Sequence, residues 1–353
     1  MRIWVMKALM FNGIKDLELV DVPVPSAKSD EILIKVEACS ICGSDLRIFN
    51  HGSHRIQKPT ILGHEIVGTI EFLGDNIRNK YEGLYSEGQR VGISPAIPCG
   101  RCYWCKNKQQ NVCDNLKIFG YEFWGGFSQF LLIPFTAIEN GCVIPVPEVL
   151  SPGEAALIEP LACVVNAQNS VGVSPDDTIL IIGAGVMGLL HFKLASLYGA
   201  KKLFMCDKVP ERIINAKALG VENAYVNNEL KYRLNKRGAD LVIVAAGTKS
   251  ALEAAFKYVA KRGKIVLFAG LPDAEDRQII SSNQIHYNEL SIVGTHGSTP
   301  EQYREALRIV SEGKLSLKDL IKEKVTLEEA VSIFEQQNFL ENKPGRVVVF
   351  PNK

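Results

Sequence analysis

Residues 178–207 constrain the fold of this 353-residue chain more than any other stretch. The apolar run 179–182 is typical of a buried strand, and it leads directly into the pattern GxGxxG, which opens a helix predicted to reach Tyr198. Glycines in such a turn let the backbone approach a pyrophosphate at the start of the helix. We therefore predict a dinucleotide-binding turn made by Gly183, Gly185, Val186, Met187 and Gly188.

A second strand is predicted at 203–206, and Asp207 follows it directly. An acid about 20 residues after the glycines bonds the ribose hydroxyls of a dinucleotide, and its charge disfavours the 2′-phosphate of NADP. Asp207 therefore favours NAD as the cofactor. The alternative is an ordinary acid at the end of a surface strand.

Strand and helix patterns continue to alternate after this unit. Helices are predicted at 210–219 and 251–261, and strands at 240–245, 264–269 and 290–294. This alternation predicts an α/β fold with a doubly wound parallel sheet. Helices at 300–310 and 327–337 and a strand at 346–350 follow, and the last strand most simply returns to the first domain.

The first part of the chain has a different pattern, with short β-rich runs broken by turn residues. Strands are predicted at 3–11, 17–20, 32–38, 61–73 and 130–133. The polar segment 74–88 is predicted to be a surface loop with little internal structure. The predicted domains are 1–157, β-rich, then 158–295, dinucleotide-binding, and finally 296–353, returning to the first domain.

Four cysteines form the sharpest single motif, CxxCxxC followed by seven residues and a fourth cysteine. This spacing lets Cys99, Cys102, Cys105 and Cys113 surround one zinc ion, and a site closed by four thiolates is structural. An iron–sulfur cluster is the rival, but the ferredoxin spacing with its closing proline is absent from the sequence.

A second group combines a thiol, an imidazole and carboxylates: Cys42, Asp45, His64 and Glu65. Zinc accepts this mixture of donors, and few further ligands lie nearby in sequence, so a coordination position would stay open for chemistry. Asp45 is the candidate to orient His64. The alternative for each residue alone is a buried thiol and a hydrogen-bonded core histidine.

Glu159 precedes a proline in an apolar helical stretch, where a buried carboxylate needs a partner. It is either an acid at a helix end facing solvent or a carboxylate on the metal or its water. The sequence leaves both open.

The composition of the chain limits the classes of molecule that it is expected to bind. A net charge of +1 gives no general attraction to nucleic acid or anionic membrane, so a small-molecule partner is expected. No apolar run is long enough for a transmembrane helix and no cleavable signal is evident, so we expect a cytoplasmic protein. Nine cysteines, four of them clustered, indicate metal binding in a reducing compartment.

Taken together, the motifs resemble the zinc-containing medium-chain dehydrogenase/reductase family, in its sorbitol (polyol) and threonine dehydrogenase branch. The resemblance rests on CGSD at 42–45, GHE at 63–65, the four-cysteine lobe at 99–113, Glu159 before Pro160, and the dinucleotide turn. It implies a GroES-like catalytic domain joined to a Rossmann domain, usually in a homodimer or homotetramer. It also implies two zinc ions per chain, one catalytic and one structural.

The resemblance assigns roles to residues as well. The catalytic zinc would be held by Cys42, His64 and Glu65, with Glu159 as a direct or water-mediated ligand, and either acid could hold the metal as the cycle proceeds. Ser44 would be the first proton acceptor, and Arg212 would lie near the adenosine ribose beside Asp207.

The chain departs from the family where a histidine commonly follows two residues after the CGSD aspartate, because Arg47 stands there. Arginine stays protonated and cannot relay a proton. We therefore expect proton release through water or through another base, with His51 the nearby candidate. Arg47 is then a fixed cation for the cofactor pyrophosphate or an anionic substrate group, or else a solvated surface residue.

The predicted activity is NAD-dependent oxidation of a secondary alcohol to a ketone, with a polyol or sugar-like substrate favoured by the resemblance alone. Two alternatives remain: oxidation of an amino-acid alcohol such as threonine, and a zinc-stabilised NAD-binding protein without turnover. A zinc-independent quinone reductase shares the fold but would have no use for the ligand group at 42–65.

Overall fold

The computed structural model describes residues 4–230, 233–234, 237–271, 275–336 and 345–353. The chain divides into two compact units: the first comprises Met1–Ala162 and Gly297–Lys353, and the second comprises Cys163–His296. No helix in the described ranges has the length and apolar character needed to cross a bilayer.

The first unit is built mainly from β-strands. Its largest sheet has the order β10-β6-β5-β3-β18-β17, with β9 also on β3. These strands are β3 (Ile32–Ser40), β5 (Glu65–Leu73), β6 (Arg90–Ile93), β9 (Phe130–Ile133), β10 (Val143–Pro145), β17 (Ile321–Val325) and β18 (Arg346–Val349). Only β17 and β18 pair in parallel.

Two smaller sheets complete the strands of this unit. One has the order β2-β1-β4, from β1 (Val5–Gly13), β2 (Asp16–Pro23) and β4 (Thr60–Ile61), and the other pairs β7 (Ala96–Ile97) with β8 (Lys117–Ile118). The core behind the sheets is apolar and β-branched, as pleated surfaces favour, with Ile34, Ile66 and Ile70 almost fully buried.

The helices of the first unit are short except for one near the end of the chain, α12 (Pro300–Ser311). Thr299 caps it, Gln302 completes a capping box, and Pro300 stands at its first position. Its apolar face buries Tyr303, Ala306 and Val310 in the unit. The others are α1 (Gly43–His51), α2 (Asp75–Lys80), α3 (Tyr103–Lys106), α4 (Phe135–Glu139), α5 (Pro152–Ala156) and α13 (Leu327–Glu335); the chain leaves the unit within α6 (Ile158–Val171).

The second unit contains the doubly wound parallel sheet that the alternating pattern predicts. Its strand order is β13-β12-β11-β14-β15-β16, and every pair is parallel. The strands are β11 (Thr178–Ile182), β12 (Lys202–Asp207), β13 (Ala224–Val226), β14 (Ala239–Val244), β15 (Val259–Leu267) and β16 (Ser291–Gly294). The helices are α7 (Val186–Leu197), α8 (Pro210–Ala218), α9 (Asn227–Leu230), α10 (Lys249–Tyr258) and α11 (Ser282–Asn288).

Three predictions need correction. The segment 74–88 is not a structureless loop, because it forms α2 around the buried Ile77, with an acid in its first turn and bases in its last. The predicted strand 61–73 is interrupted at 62–64, where Gly63 adopts a φ of +93°. The predicted helix 251–261 ends at Tyr258, because Val259 already pairs with Ala239 in the sheet.

Two predicted boundaries fall outside the described ranges. They are the start of the first strand at Ile3 and the end of the helix predicted to reach Gln337.

Candidate active site and metal centres

Three potential metal ligands, Cys42, His64 and Glu65, meet in the first unit. Their sulfur, nitrogen and oxygen atoms all lie within 4.8 Å of one another. Strand pairing in the sheet brings these ligands together. β3 ends at Ser40, which pairs with Glu65 at the start of β5, so the segment that leads into Cys42 runs beside His64. Cys42 is also the N-cap of α1, so regular elements hold the first and third ligands.

Asp45 holds the imidazole of His64 in place. Its Oδ1 lies 3.3 Å from His64 Nδ1, and its Oδ2 accepts a hydrogen bond of 2.8 Å from the backbone N–H of Cys42. Burial opposes a charge on the ring, but Asp45 and Cys42 outweigh it and raise the pKa of His64 well above its ordinary value. Since Nδ1 faces Asp45, Nε2 is the nitrogen available to a metal.

The set fits a zinc ion on its chemistry and on its unmet polar groups. Glu65 is fully buried, and its Oε2 has no hydrogen-bond partner among the described residues. A buried carboxylate oxygen left this way is costly unless a cation supplies the missing interaction. One thiol, one imidazole and one carboxylate leave a tetrahedral ion a position for water or substrate.

Ser44 and Tyr121 line the same side of His64. Ser44 Oγ is 3.3 Å from His64 Nε2, which is within hydrogen-bond distance. The ring centroids of Tyr121 and His64 are 6.2 Å apart. Burial raises the pKa of Tyr121, so its hydroxyl keeps its proton at neutral pH. The structure thus places the Ser44 hydroxyl beside the nitrogen that faces the metal position, with the Tyr121 ring close to the same imidazole.

Arg346 reaches the ligand set from the last strand of the chain. It is 4% exposed, and its Nη2 lies 2.7 Å from Glu65 Oε1. Its Nη1 donates a hydrogen bond of 3.0 Å to the carbonyl of Ile41, and its Nη2 is 4.0 Å from Cys42 Sγ. One buried guanidinium therefore touches both segments that supply the ligands.

This cation also favours the metal-binding form of the thiol. Burial and the Glu65 carboxylate oppose ionisation of Cys42, but Arg346 and His64 outweigh them and lower the pKa of the thiol. The thiolate is the form that binds a metal. Burial raises the pKa of Glu65, and Arg346 counters that rise.

Glu159 is placed near this set but outside it. It lies in the first turn of α6 and is 8% exposed, so it is not an acid facing solvent. The compact group of ligand atoms does not include its carboxylate. Its negative charge, together with burial, raises the pKa of both Glu65 and Tyr303.

The four cysteines of the lobe come together as a second set. Their sulfur atoms lie within 4.8 Å of one another, with Cys102 Sγ 3.5 Å from Cys105 Sγ and 3.8 Å from Cys113 Sγ. A zinc tetrahedron with bonds of about 2.3 Å separates its sulfurs by roughly 3.8 Å, whereas a disulfide requires about 2 Å. Backbone N–H groups of Arg101 and Cys102 lower the pKa of Cys99 to about 6.

The dinucleotide turn has the close packing that its glycines allow. A Cβ on Gly188 would lie 1.8 Å from the carbonyl oxygen of Gly183, so only glycine fits this helix start. Gly183 adopts a φ of +113°, and Gly185 is the N-cap of α7, which begins at Val186 and Met187. The turn thus leads from β11 into the N-terminus of a helix, where phosphate groups bind readily.

Asp207 stands at the end of β12 and faces the same turn. Its Oδ2 accepts a hydrogen bond of 2.8 Å from the backbone N–H of Ala184, and its Oδ1 accepts one of 2.9 Å from Val209. Arg212 Nη1 lies 3.6 Å from Asp207 Oδ2. The sequence-predicted pair is therefore adjacent within the second unit.

Comparison with known proteins agrees with this geometry. Residues 28–148 match the family model described as the alcohol dehydrogenase GroES-like domain, and residues 186–312 match the zinc-binding dehydrogenase model. Sorbitol dehydrogenase of Bacillus subtilis (strain 168) is 30% identical over 99% of this chain and 98% of its own. The chain belongs to the zinc-containing medium-chain dehydrogenase/reductase family.

Other members of this family resemble the chain equally closely. L-threonine 3-dehydrogenase of Thermococcus kodakarensis is 31% identical over 95% of this chain and 95% of its own. The crystal structure of a candidate zinc-binding dehydrogenase from Sinorhizobium meliloti 1021, bound to NADP, has a TM-score of 0.87 at 27% identity and covers 99% of this chain and 100% of that one. The chain is therefore an oxidoreductase of the alcohol dehydrogenase type, in a family that uses zinc and a nicotinamide cofactor.

Two of the predicted catalytic residues make no polar contact with the ligand set among the described residues. Arg47 and His51 lie on α1 and are exposed, and neither side chain makes a hydrogen bond or ion pair with another described residue. Their proposed roles, fixed cation and proton relay, concern groups outside the chain itself and stay predictions.

The sequence interpretation missed Arg346 and Tyr121. Arg346 opens an otherwise apolar run, Val347 to Phe350, and a lone cation at the start of a buried strand is a usable signal. Tyr121 had no such signal, because it lies in an irregular segment between the cysteine lobe and β9.

Proposed function

We propose that this chain is an NAD-dependent zinc dehydrogenase that oxidises a secondary alcohol of a polyol or sugar-like compound to a ketone. The observation that carries the proposal is the compact set of Cys42, His64 and Glu65, with Asp45 fixing the histidine. Similarity to sorbitol dehydrogenase over almost the whole chain supports the substrate class.

In this proposal the three residues of that set hold the catalytic zinc, with Glu159 as a direct or water-mediated ligand, and the four cysteines of the lobe hold a structural zinc. A zinc ion in the first set supplies Lewis acidity, which lowers the pKa of the substrate hydroxyl. A nicotinamide cofactor held at the glycine turn 183–188 and Asp207 would accept the hydride of the alcohol carbon, and the hydroxyl proton would leave separately.

The residues around His64 provide the first step of the proton's path. Ser44 Oγ, beside His64 Nε2, accepts the proton from the substrate hydroxyl, and the ring of Tyr121 lies against His64 on the same side. Beyond Ser44 the proton leaves through water, with His51 as the alternative base. Arg47 serves as a fixed cation, since a guanidinium does not give up its proton.

The preference for NAD rests on Asp207. Two backbone hydrogen bonds fix its buried carboxylate at the end of β12, where a 2′-phosphate would approach and be repelled. A relative of similar fold is bound to NADP, so the preference of this chain is a matter for measurement. Initial rates with NAD and NADP at matched concentrations test the proposal. The wild-type protein should prefer NAD, and Asp207→Ala should lose that preference. Equal use of both cofactors by the wild-type protein contradicts the proposal.

The activity itself is tested by metal content together with a substrate panel. Purified protein should contain two zinc ions per chain and reduce NAD with sugar alcohols or cyclitols; Cys42→Ser should abolish turnover and retain one zinc. Activity with threonine alone would favour the second candidate, which rests on the similarity to threonine dehydrogenase. One zinc per chain and no turnover with any alcohol would favour a non-catalytic NAD-binding protein.

We also propose that the protein is a cytoplasmic homodimer or homotetramer, as the family resemblance implies. Light scattering after size exclusion measures the assembly directly, and a monomer at micromolar concentration would contradict it.

A further inference from the structure

A cavity of about 350 Å³ opens in the first unit among residues to which the activity assigns no role. It is bounded by the middle of β3, the start of α5, Lys324 on β17, and the residues after β18. Lys35 on its wall precedes Ser40 by five residues on β3, which at about 3.3 Å per residue separates the cavity from the ligand set by roughly 16 Å. Its volume lies within the range of small-molecule sites.

The charged side chains around this cavity are mostly positive. Lys35, Lys324 and Lys353 line it, all are exposed, and none forms an ion pair with a side chain in the described ranges. The acidic side chain among its lining residues is Glu37. Arg90 neutralises that carboxylate, with its Nε 3.1 and 3.0 Å and its Nη2 2.9 Å from the carboxylate oxygens.

The remaining lining combines an apolar floor with fixed polar groups. Val36 and Phe350 are buried and form apolar surface, and the Lys353 ammonium lies 4.2 Å from the Phe350 ring. Asn352 is fixed by hydrogen bonds of 2.8 and 3.1 Å from its Nδ2 to the carbonyls of Val36 and Gln129. The Asn352 amide thus ties the segment after β18 to β3, and its Oδ1 can accept a hydrogen bond from a hydroxyl.

We propose that this cavity binds a small organic anion carrying two or more phosphate or carboxylate groups, using the ammonium groups of Lys35, Lys324 and Lys353. Each charge-assisted hydrogen bond from an ammonium to an anionic oxygen is stronger than a neutral one. The apolar floor accommodates the carbon skeleton that separates the anionic groups. The residues that line the cavity belong to the first unit, whereas the cofactor turn belongs to the second.

The test is isothermal titration of the full-length, zinc-loaded protein with inorganic pyrophosphate in one arm and citrate in the other. Saturating NADH occupies the cofactor's own phosphate-binding groups, and low salt limits screening. The variant is Lys35→Ala/Lys324→Ala/Lys353→Ala. The control is Lys28→Ala/Lys201→Ala/Lys318→Ala, which removes the same charge from exposed lysines outside the cavity.

We expect one site per chain in wild type and in the control, and an affinity at least about tenfold weaker in the cavity variant. Stronger binding of pyrophosphate identifies a phosphate compound as the natural ligand class, and stronger binding of citrate identifies a polycarboxylate. Absence of binding in both arms, or an equal loss of affinity in the two triple variants, overturns the proposal. Preserved melting temperature in the cavity variant shows that any loss reflects the site and not the fold.

Discussion

Replacing Arg346 by methionine tests how strongly one buried cation stabilises the ligand set. The side chain is 4% exposed, and its partner Glu65 is completely buried. Methionine keeps much of the length and the apolar contacts, but it removes the ion pair of 2.7 Å and the hydrogen bond of 3.0 Å to Ile41. Glu65 is then left as a buried carboxylate without its cation.

The expected cost follows from that unpaired charge. Removing one partner of a buried ion pair costs about 3–5 kcal/mol, because the remaining charge has lost its solvent and its partner. A matched surface change is Arg78→Met, whose pair with Glu87 spans 3.0 Å with both side chains about half exposed. That change should cost no more than about 1 kcal/mol.

Tryptophan fluorescence follows the relevant unit during urea unfolding. All three tryptophans of the chain, Trp4, Trp104 and Trp124, belong to the first unit. The two substituted arginines, Arg346 and Arg78, belong to it as well. Unfolding midpoints should be measured for all variants in a Cys42→Ser background, which keeps the structural zinc but has no ion at the ligand set, so that Glu65 depends on Arg346 alone for its cation; zinc content is determined for each variant.

A double variant separates the charge from the packing. Arg346→Met combined with Glu65→Gln leaves no buried ion unpaired, so it should recover more than half of the stability lost in Arg346→Met alone. If Arg346→Met costs no more than Arg78→Met, or if the double variant is no more stable than the single one, the role assigned to Arg346 is wrong.

Three further predictions concern other parts of the chain. Cys102→Ser should lower zinc content by one ion per chain and the melting temperature, while the hydride step in the remaining folded protein is kept; normal melting with lost turnover would contradict a structural zinc. Burial lowers the pKa of His191 to about 3, so the stability it adds is fully present above about pH 6.5 and falls by about 2 kcal/mol on going to pH 5. His191→Gln should lose that pH dependence in urea titrations followed by circular dichroism, and the exposed control His286→Gln should keep it. Gly188→Ala should weaken NAD binding at least about tenfold by calorimetry, because its Cβ would lie 1.8 Å from the Gly183 carbonyl oxygen; unchanged affinity would show that the turn can shift at little cost.

Most of the second unit could be predicted from the sequence because the patterns that specify it are local. The fully buried run of β11, the glycines after it and Asp207 at the next strand end lie within one βαβ unit, and hydrophobic period and glycine spacing report them directly. The error at 251–261 also has a local cause. Val259 is β-branched, and its pairing with Ala239 outweighed the helical pattern that precedes it.

The candidate metal-ligand set could be predicted from the sequence only in part. Residue types and spacing indicated Cys42, His64 and Glu65, and the structure brings them together. The break of the strand at Gly63 depends on close packing against Cys39 and Phe127, which no local pattern reveals. Arg346 was missed for the same reason, since its partners are fixed by the pairing of β18 with β3.

The return of the last strand to the first unit also sets an order of events during synthesis. Arg346 and Ile41 are joined by a hydrogen bond although 305 positions separate them, so this part of the fold has very high contact order. The second unit is one uninterrupted segment and can fold as soon as it leaves the ribosome. We therefore expect the second unit of the nascent chain to fold first. Cys42, His64 and Glu65 are translated early, but they gain the stabilising cation of Arg346 only after β18 has been translated.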